Sequence, residues 1–274
     1  MIVLFETMTD MNLYITITLF IIILFVSRIN PVAASISVIY QVIFNRKYLF
    51  HVILVLSMLF INKMELNIEE KMVFQTDFTP YIYSIEGDFV AIIQKIFLNP
   101  LLTLLTSYFY LIVFPCLMIA SILIYTYKKE YTLFYALCYA ITINYLVAIP
   151  FYLFFPVNEV WFFHPHVDLL ILDVFPSFEQ EYRTLSGLNN CLPSLHTSLS
   201  ISVTVLAMQS KFKIWRLFVI CSMIVIIFSI FYLGIHWFID MCSGVILGAS
   251  SAYAGMRLTN FHFAPLINDN TIKS

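Results

Sequence analysis

The chain has 274 residues, 61% of them hydrophobic and 11% charged, with a formal net charge of −2 and a mean hydropathy of +0.92. A soluble domain is nearer half apolar and a quarter charged, so the composition excludes one and points to a polytopic membrane protein. A slightly negative balance with no run of Lys or Arg excludes a nucleic-acid partner.

In chain order, Met11–Ser27 is an apolar run ended by Arg28 and reads as a first span. Pro31–Phe44 is apolar but short. Arg28 precedes it and Arg46 and Lys47 follow, so both its ends are expected on one side, as an in-plane or re-entrant helix. Tyr48–Ile61 is apolar and is expected to stop at Asn62 and Lys63. Met64–Pro100 is the most polar part of the first half. Within it Asp88 is placed to cap a helix whose Phe89, Ile92, Ile93, Ile96 and Phe97 form one apolar stripe. Such a helix either lies on the membrane surface or packs on a neighbour.

Leu101–Tyr127, Tyr131–Phe155, Leu192–Gln209, Ile214–Gly234 and Trp237–Met256 read as further spans. Lys128 and Lys129, the cluster from Lys211 to Arg216, and Arg257 all fall on one side, which the positive-inside rule makes cytoplasmic. The expectation is seven spans with the N-terminus outside; an eighth would leave the rest unchanged. Gly244, Gly248, Ala252 and Gly255 give the last span a face of small residues suited to close helix packing. The five cysteines are scattered mostly through apolar runs and read as small buried hydrophobes, with neither a disulfide framework nor a zinc site.

Cys191–Asp240 carries the chemistry. CLPSLHTS opens it and YLGIHWFID closes it, each with a histidine at the edge of an apolar run. His196 begins a span running inward and His236 follows one running outward, so both are expected at the extracytoplasmic face. His236 and Asp240 are four residues apart on one helix face, where a carboxylate can fix the ring tautomer and leave the other nitrogen nucleophilic. Pro193 suits the first turn of a helix, which leaves Ser194 and His196 at a helix N-terminus that attracts anions. Either histidine alone could be an interface residue, and a His–Asp pair can simply join helices. The two together point to phosphoryl transfer, with His236 attacking phosphorus and His196 as acid and base. This arrangement requires no metal and no cofactor.

PSLH (Pro193–His196) and HWFID (His236–Asp240) resemble the second and third motifs of the type 2 phosphatidic acid phosphatase superfamily. PSLH and YLGIHWFID are especially similar to the branch with inositol phosphorylceramide synthases, and Phe155–Phe162 resembles its degenerate first motif. The resemblance implies an all-α membrane bundle with a six-helix core, His236 as nucleophile, Asp240 as its partner, His196 as acid/base, and Ser194 helping to bind phosphate. The superfamily's first-motif lysine and arginine are missing, and Ile230 stands where the third motif has arginine. Arg183, His164 and His166 in the loop Pro156–Asn190 are candidates to fill that gap; Arg183, the loop's only Arg or Lys, is the best placed. The loop itself reads as a lid or acceptor pocket, with its acids Asp168, Asp173, Glu179 and Glu181 solvated.

The expected organisation is N-terminal membrane helices over 1–80, a catalytic membrane domain over 81–257 and a cytoplasmic tail over 258–274. The expected function is a multi-pass lipid phosphatase or phosphotransferase of a plasma or inner membrane. It would work through phosphohistidine on a lipid or polyprenyl phosphate or phosphodiester. A small transporter with a His/Asp proton relay, and a lipid-binding member without turnover, are the alternatives.

Overall fold

The computed structural model describes residues 3–69, 71, 76–183 and 185–260; most of the expected tail, 261–274, lies outside the described residues. It is an all-α bundle. Among the described residues the longer helices are α1 (Met8–Val26), α2 (Pro31–Phe44), α3 (Arg46–Glu69), α4 (Thr79–Glu86), α5 (Phe89–Phe97), α6 (Pro100–Tyr127), α7 (Tyr131–Phe154), α8 (Leu195–Gln209), α9 (Lys213–Tyr232) and α10 (Phe238–Leu258). Five of them, α1, α3, α6, α7 and α9, are long and apolar enough to cross a membrane. The other two expected spans, α8 and α10, pack against each other and against α7. Most of α8 is buried, so its serines and threonines face protein and need not be apolar.

Contacts at the helix ends set the polarity of the bundle. Lys47 lies over the Tyr135 ring, Tyr48 bonds Thr126 at 2.8 Å, Lys128 lies over Phe212, and Ser210 donates to Glu130 at 2.9 Å. The Lys/Arg-bearing turns are therefore gathered at one end. At the other end of α7, 24 residues or about 36 Å away, Tyr152 donates to the carbonyl of Pro193 at 3.0 Å. The PSLH and HWFID motifs sit at this far end.

Three local expectations need correction. Asn62 and Lys63 do not end α3, which continues to Glu69. Asn costs a helix only a fraction of a kcal/mol, about 0.7 at most, and beyond the apolar run the helix meets polar partners, with Asn190 donating to Glu65 at 3.3 Å. Asp88 does not cap α5 with its side chain; its carboxylate instead lies 2.9 Å from Nε2 of His164. Pro193 lies outside the first turn, since α8 starts at Leu195 with Ser194 as its cap. On α5 the buried residues are Val90 and Gln94, while Ile92 and Ile96 of the apolar stripe face outward. Phe89 and Phe97 at the stripe's edges meet Phe231 and Phe228 of α9.

The loop from Pro156 to Asn190 is tied down rather than open. Val157 donates to Asn189 at 2.9 Å and Glu159 to Leu188 at 3.0 Å, closing the loop at its base. Val160 and Trp161 donate to Ile235 and Gly234, and the Trp237 indole donates to Asn158 at 2.9 Å. The start of this loop thus runs along the turn that precedes His236.

Candidate active site

The turn before His236 passes through Gly234 at φ +81°. A Cβ there would stand 2.6 Å from the carbonyl oxygen of Asp168, so only glycine fits both the conformation and the space. Gln94 of α5 secures the same corner, donating to the carbonyls of Asp168 at 2.8 Å and Tyr232 at 3.0 Å. His236 follows, with its amide on the carbonyl of Ile230 at 3.0 Å.

One turn into α10, Oδ2 of Asp240 lies 3.3 Å from Nδ1 of His236 and accepts the Trp237 amide at 2.9 Å. Glu86, from the end of α4, accepts the next two amides, Phe238 and Ile239, each at 2.6 Å. Two carboxylates therefore saturate the positive end of the α10 dipole. Burial pushes the Glu86 carboxyl above the usual range, and the two amides oppose that shift. Asp240 also joins the two motifs, because its carbonyl accepts the Ser194 amide at 3.1 Å.

His196 stands across from His236 with 6.4 Å between ring centres. Tyr110 stacks on one side of it, 3.9 Å between centres and 15° between planes, and Phe114 packs 4.2 Å away. Both belong to α6, where Phe109–Val113 forms a π-helical segment just ahead of Pro115. Such bulges re-aim side chains and recur at functional sites. Nε2 of His196 is buried and has no hydrogen-bond partner among the described residues. Both histidines line a cavity of about 110 Å³, together with Tyr110, Tyr152, Tyr182 and Glu159.

A family model for the PAP2 superfamily matches residues 84–254. The chain belongs to the PAP2 superfamily. Neither the curated proteins nor the solved structures give a match. The matched segment runs from the end of α4 into α10 and takes in both histidine segments and the loop between α7 and α8. Membership supports a phosphatase-type function.

In this PAP2 chain the remaining candidates are spread out. Ser194 is fully buried, and its hydroxyl accepts the Thr197 amide at 3.3 Å as the α8 cap. Arg183 makes a two-pronged pair with Glu159 at 2.7 and 2.6 Å and bonds Glu179 at 2.8 Å. Those carboxylates outweigh burial and raise the guanidinium pKa further. Arg183 therefore sits behind the cavity wall, with Glu159 between it and the space. Of the loop acids, Glu179 is paired with Arg183. His164 is committed to Asp88 and to the amide of His166, and neither histidine lines the cavity.

Several residues at the candidate site were not singled out from the sequence. Glu159 is a buried carboxylate 24 residues from its arginine, a pairing that no local pattern encodes. Tyr110 and Phe114 look like ordinary span residues; the one available signal was a proline, Pro115, inside the run. Asn62, from α3 and outside the family match, also lines the cavity.

Proposed function

We propose that this protein is an integral membrane lipid phosphatase or phosphotransferase that works through a phosphohistidine on His236. The observation that carries the reading is the pairing of His236 with Asp240 on one side of a cavity, facing the unpartnered Nε2 of His196 on the other. Because Nδ1 faces Asp240, Nε2 of His236 is left with its lone pair. Nε2 attacks phosphorus, the N–P bond forms, and the P–O bond to the leaving group breaks as His196 gives that oxygen its proton. His196 then takes the proton of the incoming water or alcohol, whose oxygen attacks phosphorus and displaces Nε2. The charge of Asp240 stabilises the cationic ring in between.

The gathering of basic residues at one end, read by the positive-inside rule, supports an extracytoplasmic site at the opposite end. The substrate class is a lipid or polyprenyl phosphate or phosphodiester, whose apolar tail enters between helices. Similarity of the motifs to inositol phosphorylceramide synthases favours transfer to an alcohol. The hydrogen-bonding side chains around His196, among them Tyr182, Asn62 and Asn190, suit a hydroxylated acceptor. Arg183 is the cation we assign to the phosphate, after it exchanges part of its pairing with Glu159 and Glu179.

Arg183→Ala is therefore expected to lower kcat/KM by about 10- to 100-fold, the size of a lost charged hydrogen-bond pair, while Lys at this position restores only part of it. Wild-type kinetics in Arg183→Ala would remove the residue from the site. The reading as a whole is tested by offering lipid phosphates to the purified protein in detergent. Metal-independent phosphate release that His236→Ala abolishes is expected, and candidate alcohols added to the assay separate transferase from phosphatase. Release that survives His236→Ala would refute the assignment.

A further inference from the structure

Cys191 stands beside the nucleophile and takes no part in the reaction above. Cys191, His236 and Asp240 each bring a potential metal-ligating atom within 4.8 Å of the other two, and all three residues are buried. Asp240 makes both its side-chain hydrogen bonds through Oδ2, and Oδ1 has no partner among the described residues. The Cys191 thiol donates to the carbonyl of Ile235 over a long 3.6 Å. Burial, with Asp240 and Glu159 nearby, pushes its pKa well up. A thiol and a spare carboxylate oxygen are thus placed around the catalytic imidazole, and Cys191 and His236 both line the cavity.

We propose that this trio is an inhibitory site for a soft divalent cation, with zinc as the type. Thiolate, imidazole and carboxylate are the ligand types zinc takes. A tetrahedral ion with bonds of about 2.0–2.3 Å holds its ligands roughly 3.3–3.8 Å apart, so the side chains need close by only about an ångström. Thiolate and carboxylate together balance the charge of the ion. Binding releases the Cys191 proton to solvent. Magnesium and calcium, which prefer oxygen ligands, do not compete for such a set.

The binding claim stands on the three side chains; the inhibitory claim rests on His236 being the nucleophile. Metal on Nε2 removes the attacking lone pair. Metal on Nδ1 displaces the Asp240 contact and leaves the proton on Nε2. Either way turnover stops until the ion is withdrawn.

The test uses the full-length protein in detergent, stripped with chelator and then titrated with zinc while phosphate release is followed. Cobalt(II) is titrated in parallel and read by its near-ultraviolet thiolate charge-transfer band. Zinc is expected to inhibit reversibly and magnesium not at all. Measured against their own zinc-free rates, Cys191→Ser and Cys191→Ala are expected to need at least tenfold more zinc for the same fractional inhibition, and to lose the cobalt–thiolate band. Unchanged zinc sensitivity in both variants, or a band that persists in them, would overturn the proposal. A Cys191-dependent band in a protein that releases no phosphate would keep the metal site and refute the phosphohistidine reading instead.

Discussion

His236→Gln is expected to abolish phosphate release, and Asp240→Asn to lower kcat by about 10,000-fold, the size of loss seen when the carboxylate of a His–Asp pair is neutralised. The two variants separate attack from stabilisation. Glutamine keeps an amide near the buried carboxylate of Asp240 but has no nucleophilic nitrogen. In Asp240→Asn the amide oxygen can still accept the Trp237 amide, now held at 2.9 Å, so the start of α10 keeps its cap. What disappears is the negative charge 3.3 Å from Nδ1, needed once Nε2 is bonded to phosphorus and the ring is cationic. The loss should therefore fall on kcat with KM little changed, and thermal unfolding in detergent should show the variant folded. A wild-type kcat in folded Asp240→Asn would take the carboxylate out of the chemistry.

Gly248→Ala is expected to damage both stability and turnover, whereas Gly255→Ala should damage stability alone. A Cβ on Gly248 would stand 2.2 Å from the carbonyl oxygen of Ser198 and 2.9 Å from Cβ of Ile201, so α8 and α10 would have to part. Overpacking of this kind costs about 1–3 kcal/mol. Separation also strains the bond from Ser202 to the Gly248 carbonyl at 2.8 Å and the one from Asn144 to Ser202 at 3.0 Å. The same two helices position the site: α8 carries His196, and α10 carries Asp240 and follows directly on His236. Misplacement by about an ångström costs on the order of 100-fold in rate. Gly255 presses as closely on α7, 2.4 Å from the carbonyl oxygen of Ala136, but at the basic end of the bundle. Melting temperature and kcat measured on both variants check this. Equal loss of turnover in the two would mean that packing between α8 and α10 does not set the histidine geometry.

The parts of the fold legible in the sequence were those written locally. Apolar runs placed α6, α7 and α9 to within a residue or two, because length and hydropathy decide those helices. The spacing pointed to the His236–Asp240 contact but for the wrong reason. His236 lies two residues before α10 rather than on its face, and the contact is made across the helix's N-terminal cap, where Oδ2 of Asp240 also accepts the Trp237 amide. Asp88 shows where local reasoning fails. As a cap it was plausible, but a histidine 76 residues away offers a charge-capable partner, and tertiary structure wins over a cap of about 1 kcal/mol. Arg183 was found as the loop's one cation, yet its partner Glu159 was not, because nothing in the sequence says that the loop's two ends meet. Glu86, which holds the amides after His236, was hidden for the same reason, 152 residues away. The length of α3 was missed because its last turns are stabilised by polar contacts at the site rather than by apolarity.

The central claim is a covalent bond between His236 and phosphorus, and trapping that bond tests it most directly. The protein is mixed with an aryl phosphate labelled in its phosphoryl group and quenched in alkali, where phosphohistidine survives. An aryl leaving group needs no acid, so in His196→Ala the first step proceeds while the second lacks its base. Label is expected to appear transiently on the wild type, to accumulate on His196→Ala, to be released by acid, and to be absent from His236→Gln. Label retained by His236→Gln, or turnover by the wild type with no label at any time, would contradict the account.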